Sequence, residues 1–103
     1  MSEKSFSLIA DPGHAWLTVT FDDLADVGLT SKDITRYSYI EPETQTMWLE
    51  EDEDAGVFIR AYEAKHGLGP VIVTHFVAET DIRSKSMNTG GRVLFLAAAG
   101  AKQ

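Results

Sequence analysis

The sequence predicts an α+β domain, an antiparallel sheet of about five to six strands packed by two helices in the order ββαββαββ. Three observations predict it. Apolar and polar residues alternate with period two in several short stretches bounded by turn residues. Two other stretches carry apolar residues at i, i+3 and i+4, between capping residues and terminal glycines. Packing two such helices on one antiparallel sheet buries every apolar stripe, so α+β is the economical arrangement. With 103 residues the chain forms one domain, residues 1–103, with no repeat or internal linker.

The elements follow in order. Phe6, Leu8 and Ala10 alternate with Ser5, Ser7 and Ile9, which predicts a first strand. Asp11-Pro12-Gly13-His14 is a tight turn, with Pro presetting φ and Gly admitting a positive one. Ala15, Leu17 and Val19 alternate with Trp16, Thr18 and Thr20, an antiparallel second strand. Thr20 caps a short helix in which Phe21, Leu24 and Ala25 share a face; Asp22 and Asp23 suit its first turn and Gly28 its C′ position. Thr30 to Ile34 can add a further helical turn. Tyr37–Ile40 and Gln45–Leu49 flank Glu41-Pro42-Glu43-Thr44, a hairpin signal.

A second helix is predicted from Asp52 or Asp54 to Lys65, with Val57, Phe58, Ala61, Tyr62 and Ala64 as its apolar stripe. Lys65 and His66 suit its C-terminal dipole end, and Gly67, Gly69 and Pro70 stop it. Val71 to Ala78, rich in β-branched residues, is a strand. Ser84 to Arg92 is a loop or hairpin tip around Gly90-Gly91, and Val93–Ala97 is a short apolar strand.

Composition bounds the function. There are no cysteines, which removes disulfides, thiolate nucleophiles and cysteine zinc sites. Met1-Ser2-Glu3-Lys4 and the residues after it lack the continuous apolar core of a signal peptide. No apolar run approaches the ~20 residues that span a bilayer. A soluble, cytoplasmic protein with no membrane contact is the expectation. Residues 1–54 hold 13 acids against 3 bases and residues 55–103 hold 3 against 6, so the net charge of −7 is concentrated in the first half. Such an acidic half disfavours direct duplex DNA binding, which needs clustered Lys and Arg, and favours a basic protein partner.

Five consecutive carboxylates, Glu50, Glu51, Asp52, Glu53 and Asp54, follow Trp48-Leu49 at the boundary between strand and helix. Helix capping uses one or two of them, so the run, together with Trp48, is a candidate partner-binding patch. It does not fit a calcium loop, because Ala55 falls where such a loop requires Gly. Arg83, Lys85 and Arg92 form the only basic cluster and are candidate phosphate contacts. The glycines beside them precede a strand rather than a helix, unlike a phosphate cradle. Asp11 and His14 can meet across their turn, the basis of a remoter reading as a small hydrolase. His75 belongs to a core or sheet edge, and His66 to a helix end. No metal-ligand spacing, cofactor motif or nucleophile elbow is present. Trp16, Trp48, Tyr37 and Tyr39 are core candidates, but either tryptophan becomes an interface anchor if it lies on the polar face of its strand.

Asp11-Pro12-Gly13-His14-Ala15-Trp16-Leu17, Arg36-Tyr37-Ser38-Tyr39, Trp48-Leu49-Glu50-Glu51-Asp52 and Thr80-Asp81-Ile82-Arg83-Ser84-Lys85 together resemble segments of small proteins of bacterial phages, prophages and plasmids. Members of that group often carry Gly where Ala15 stands and Cys where Glu53 stands, so the likeness implies no thiol chemistry here. It implies a mobile-element setting and carries over no catalytic residue. The expectation is a non-enzymatic, macromolecule-binding accessory protein. Its lifestyle and charge resemble those of anti-CRISPR and anti-restriction inhibitors, whose partners are nucleic-acid-binding defence proteins. A nucleic-acid or phosphate contact module built on the basic loop is the alternative.

Overall fold

The computed structural model describes residues 4–89, apart from the side chain of Arg83. Arg92 and the strand expected at Val93–Ala97 lie outside the described residues. Strands β1 (Ser5–Ala10) and β2 (Ala15–Thr20) form the expected hairpin. The Asp11 carboxylate closes it, accepting from the N–H groups of Gly13 (3.0 Å) and His14 (2.9 Å), while its own N–H donates to the His14 carbonyl at 2.9 Å. Helix α1 (Phe21–Asp26) opens with a reciprocal cap. Thr20 Oγ1 accepts from Asp23 N at 3.1 Å and Asp23 Oδ2 from Thr20 N at 2.8 Å, so two donors that the helix itself leaves orphaned are satisfied. Gly28, at φ 82°, follows the helix, a conformation that strains any residue with a Cβ. Thr30 and Asp33 repeat the capping pair around a 3-10 turn at Ser31–Asp33.

Strands β3 (Tyr39–Glu41) and β4 (Thr46–Glu50) form the second hairpin. Helix α2 (Asp54–His66) follows and ends at Gly67, φ 83°. Then come β5 (Val71–Phe76), a 3-10 turn at Ile82–Ser84 and the two-residue β6 (Ser86–Met87), which pairs with β3 inside the region expected to be loop.

The six strands lie in the order β5-β1-β2-β4-β3-β6. Every neighbouring pair is antiparallel except β1 with β5, which is parallel, so the sheet is mixed rather than wholly antiparallel. The cause is α2. A helix after β4 carries the chain back along the strand, so β5 restarts in the direction of β4. That is also the direction of β1, since β1 and β4 both run antiparallel to β2.

Side chains alternate across a strand. Phe6, Leu17, Val19, Met47 and Leu49 therefore share one face, where they pack with Leu24, Ile34, Ala55 and Phe58 into a single core. Phe58 is fully buried and meets the ring of Phe6 edge-on at 5.2 Å. Along the predicted helical stripe Val57, Ala61 and Tyr62 are half-buried, but Ala64 is exposed, and Ala55 takes the buried place one turn before Phe58.

Candidate functional site: an aromatic and acidic cleft

The same alternation sends Trp16, Trp48 and Glu50 to the opposite face, away from the helices. Trp16 stands opposite Glu50, and Trp48 lies between Thr18 and Tyr39. Both tryptophans are thus on the face expected to be polar. At one end of that face an open cleft of about 440 Å³ is lined by His14, Trp16, Tyr37, Tyr39, Glu50, Asp52 and Glu53. The His14 ring stacks on Trp16 with centroids 5.6 Å apart and planes 21° from parallel. Tyr39 meets Trp16 edge-on at 6.4 Å. Trp16 is almost wholly buried and forms the floor, whereas Tyr37, 51% exposed, forms the rim.

The wall of the cleft is held by a carboxylate that never reaches it. Asp54, first residue of α2, is completely buried. Its carboxylate accepts from Thr35 N (3.1 Å to each oxygen), from Thr35 Oγ1 at 2.6 Å and from Ser38 Oγ at 2.5 Å. Ser38 Oγ in turn accepts from Glu50 N at 2.9 Å. From the other side Asn88, also buried, donates its amide to the carbonyls of Ser31 (2.9 Å), Ile34 (3.0 Å) and Thr35 (3.4 Å). The segment from Thr35 to Ser38 is therefore tied on both flanks, and it carries Tyr37 with Tyr39 immediately after it.

The five-carboxylate run divides into three roles. Glu50 turns back on the chain and accepts from Asp52 N at 2.8 Å and Glu53 N at 3.0 Å. Partial burial pushes its carboxyl above the ordinary carboxylate value, against the opposing pull of those two N–H groups. Asp54 is structural and fully buried, which corrects the expectation that all five acids belong to the partner-binding patch. Glu51 and Asp52 are exposed and Glu53 is half-buried. Glu53 occupies the N-cap position of α2 without making a side-chain cap bond, and Asp54 is the acid in the first turn of the helix.

The other candidates stand as follows. Trp48 is half-buried, with the Lys85 ammonium 5.4 Å from its ring centroid; that ammonium also lies 3.5 Å from Glu41 Oε2. A larger, more polar groove of about 520 Å³ adjoins Lys85, between the turn at Glu41–Glu43 and Ser84–Ser86. Of the three basic candidates only the Lys85 side chain is among those described; that of Arg83 and the whole of Arg92 lie outside the described residues. Asp11 and His14 meet through the backbone of their turn, while the imidazole of His14 lies against Trp16. His66 Nε2 is 2.8 Å from Asp26 Oδ2, and Lys65 Nζ reaches the other oxygen of the same carboxylate at 2.8 Å. These partners, Lys65 foremost, hold the Asp26 carboxyl below its usual range. His75 is exposed at the sheet edge.

Sequence reasoning did not anticipate Tyr37, Tyr39 and His14 as parts of one cleft, nor Thr35 and Ser38 as holders of Asp54. The parity of β2 carried part of the signal: with Leu17 and Val19 inward, Trp16 has to face the other way. Among the described residues no three His, Asp or Glu side chains are placed to share a metal ion, and no helix is long and apolar enough to cross a membrane. No protein-family profile, curated protein or solved structure matches the chain.

Proposed function

We propose that this is a non-enzymatic binding protein that recognises a basic segment of another protein, with one cationic side chain entering the cleft. The observation that carries this reading is the union, within about 440 Å³, of the rings of Trp16, Tyr37 and Tyr39 with the carboxylates of Glu50, Asp52 and Glu53. Aromatic faces attract an ammonium or guanidinium by roughly 0.5–1 kcal/mol when exposed and about 2 kcal/mol when desolvated. Carboxylates beside the rings add charge-assisted hydrogen bonds, which are stronger than neutral ones. Glu51, exposed next to the cleft, extends the negative field that steers a basic partner toward it.

The resemblance to mobile-element proteins supports a cytoplasmic partner with a basic surface, such as a nucleic-acid-binding host-defence protein. Inhibition of that protein is the role this reading assigns to the chain. The alternative, phosphate contact through Arg83, Lys85 and Arg92, draws on an ammonium already set between Glu41 and Trp48. Low-salt binding of the isolated protein to nucleic acid, lost as salt is added, separates that alternative from the first.

The direct test is a titration with short Arg-rich and Lys-rich peptides, followed by indole fluorescence and amide shifts. Binding should weaken with salt and fall in Tyr37→Ala and Asp52→Asn. Both positions are exposed, so stability should change by no more than about 0.5 kcal/mol. Equal affinity in wild type and both variants, or no response to any basic peptide, refutes the reading.

A further inference from the structure

We propose that β5 is a self-association edge, pairing antiparallel with β5 of a second copy so that two sheets become one. Among the described residues the two borders of the sheet are built differently. At one border β6 is only two residues long, and a very short edge strand is a recognised guard against unwanted pairing. At the other, β5 spans six residues with β1 on one side and, among the described residues, no strand on the other. Natural edges of that length are blunted by Lys, Pro or a bulge. Val71-Ile72-Val73-Thr74-His75-Phe76-Val77 contains no Lys, Arg, Asp, Glu or Pro, and the register with β1 runs unbroken from Val71 to Phe76. Ile72 packs partly against the core, but most of the apolar side chains here are left in water: Phe76 is 83% exposed, Val73 45%, Val71 41% and Val77, just past the strand, 39%.

The occupant follows from charge and register. In a molecule of net charge −7, this uncharged strand is where two like copies approach with little repulsion.

Val77 N–H points to β1, donating to the Ala10 carbonyl at 2.9 Å. By alternation the N–H and C=O groups of Ile72, Thr74 and Phe76 point outward, ready for a new ladder. A two-fold axis at Thr74 sets Thr74 opposite itself, Ile72 opposite Phe76, Val73 opposite His75 and Val71 opposite Val77. Each pair lies on one face of the joined sheet, and Phe76 gains an apolar partner on the helix-bearing side. The interface is isologous, as closed dimers require.

Because the chain has no cysteine, Thr74→Cys introduces a unique thiol. Hydrogen-bonded antiparallel partners have Cα atoms ~5.5 Å apart, within disulfide range. Mild oxidation should therefore give a covalent dimer faster than the same thiol placed at Glu43 on the distant turn. Sedimentation of the wild type should show a dimer forming at or below about 0.1 mM. Thr74→Pro removes only an outward N–H, and Thr74→Lys adds an edge charge. Each should raise the dimer Kd by at least about tenfold while circular dichroism shows the fold retained. If Thr74→Pro fails to fold, Thr74→Lys decides alone. A wild type that stays monomeric over this range, a dimer that persists in the folded variants, or crosslinking no faster than at Glu43 overturns the proposal. Peptide binding at the cleft is read separately and does not depend on this outcome.

Discussion

Removal of the Asp54 carboxylate is the sharpest perturbation available, because three donors converge on it in a place without water access. Thr35, Ser38 and Asp54 are each fully buried. Asp54→Ala orphans Thr35 N–H, Thr35 Oγ1 and Ser38 Oγ. A buried donor left unsatisfied costs about 1–3 kcal/mol. The two hydroxyls can rotate toward other acceptors but the backbone N–H cannot, so a loss of about 3–5 kcal/mol is expected rather than the full sum. Asp54→Asn keeps the shape and one acceptor oxygen, but turns an amide toward donors, and should cost about 2 kcal/mol.

Urea melts give both values, with an unchanged m showing that the native state stays compact. A cycle with Thr35→Val should reveal coupling above about 0.5 kcal/mol, as contacting residues in one network do. The Asp54→Asn variant should also broaden or shift the amide signals of Tyr37 and Tyr39, since the tie that holds their segment is weakened. A loss below about 1 kcal/mol for Asp54→Ala, or no coupling to Thr35, refutes the view that this buried carboxylate organises the cleft.

Phe58→Ala should cost about 3–5 kcal/mol in denaturant melts, because the side chain is fully buried against Phe6; a loss under about 1 kcal/mol would mean that this face of α2 is not core. Asp26, with its pKa lowered by Lys65 and His66, contributes stability that is present above the ordinary value of 3.8 and lost as pH falls through the lowered one. The stability difference between wild type and Asp26→Asn should therefore shrink below that value, and a pH-independent difference contradicts the pairing. Glu50 has the opposite sign. Its raised pKa gives a contribution present below 4.5 and lost as pH rises through the folded value, which a carboxylate NMR titration of Glu50 reads directly.

Much of the architecture is local and was legible as such. Period-two alternation located β1, β2 and β4, and Thr20 with Gly28 bracketed α1, since each signal acts over a few residues of one segment. Gly67 marked the end of α2 for the same reason, its left-handed backbone being costly for any other residue. The two-residue β6 carried no such signal. It exists because Asn88 is anchored on the carbonyls of Ser31, Ile34 and Thr35, more than fifty residues earlier in the chain.

The sequence by itself determined an acidic, cysteine-free α+β chain, the order of its elements from β1 to β5 and the composition of the carboxylate run. Tertiary structure decided what those carboxylates do. Glu50 through Asp54 look equivalent along the chain, yet Asp54 is drawn inward by Thr35 and Ser38, Glu50 folds back on its own turn, and Glu51 and Asp52 face solvent. The direction of β5 and the meeting of His14, Tyr37 and Tyr39 around Trp16 were likewise settled only by the fold. The physical reason is the same in each case: burial and hydrogen-bond partners arise from residues distant in sequence, and no local pattern encodes which distant donor a carboxylate or ring will meet.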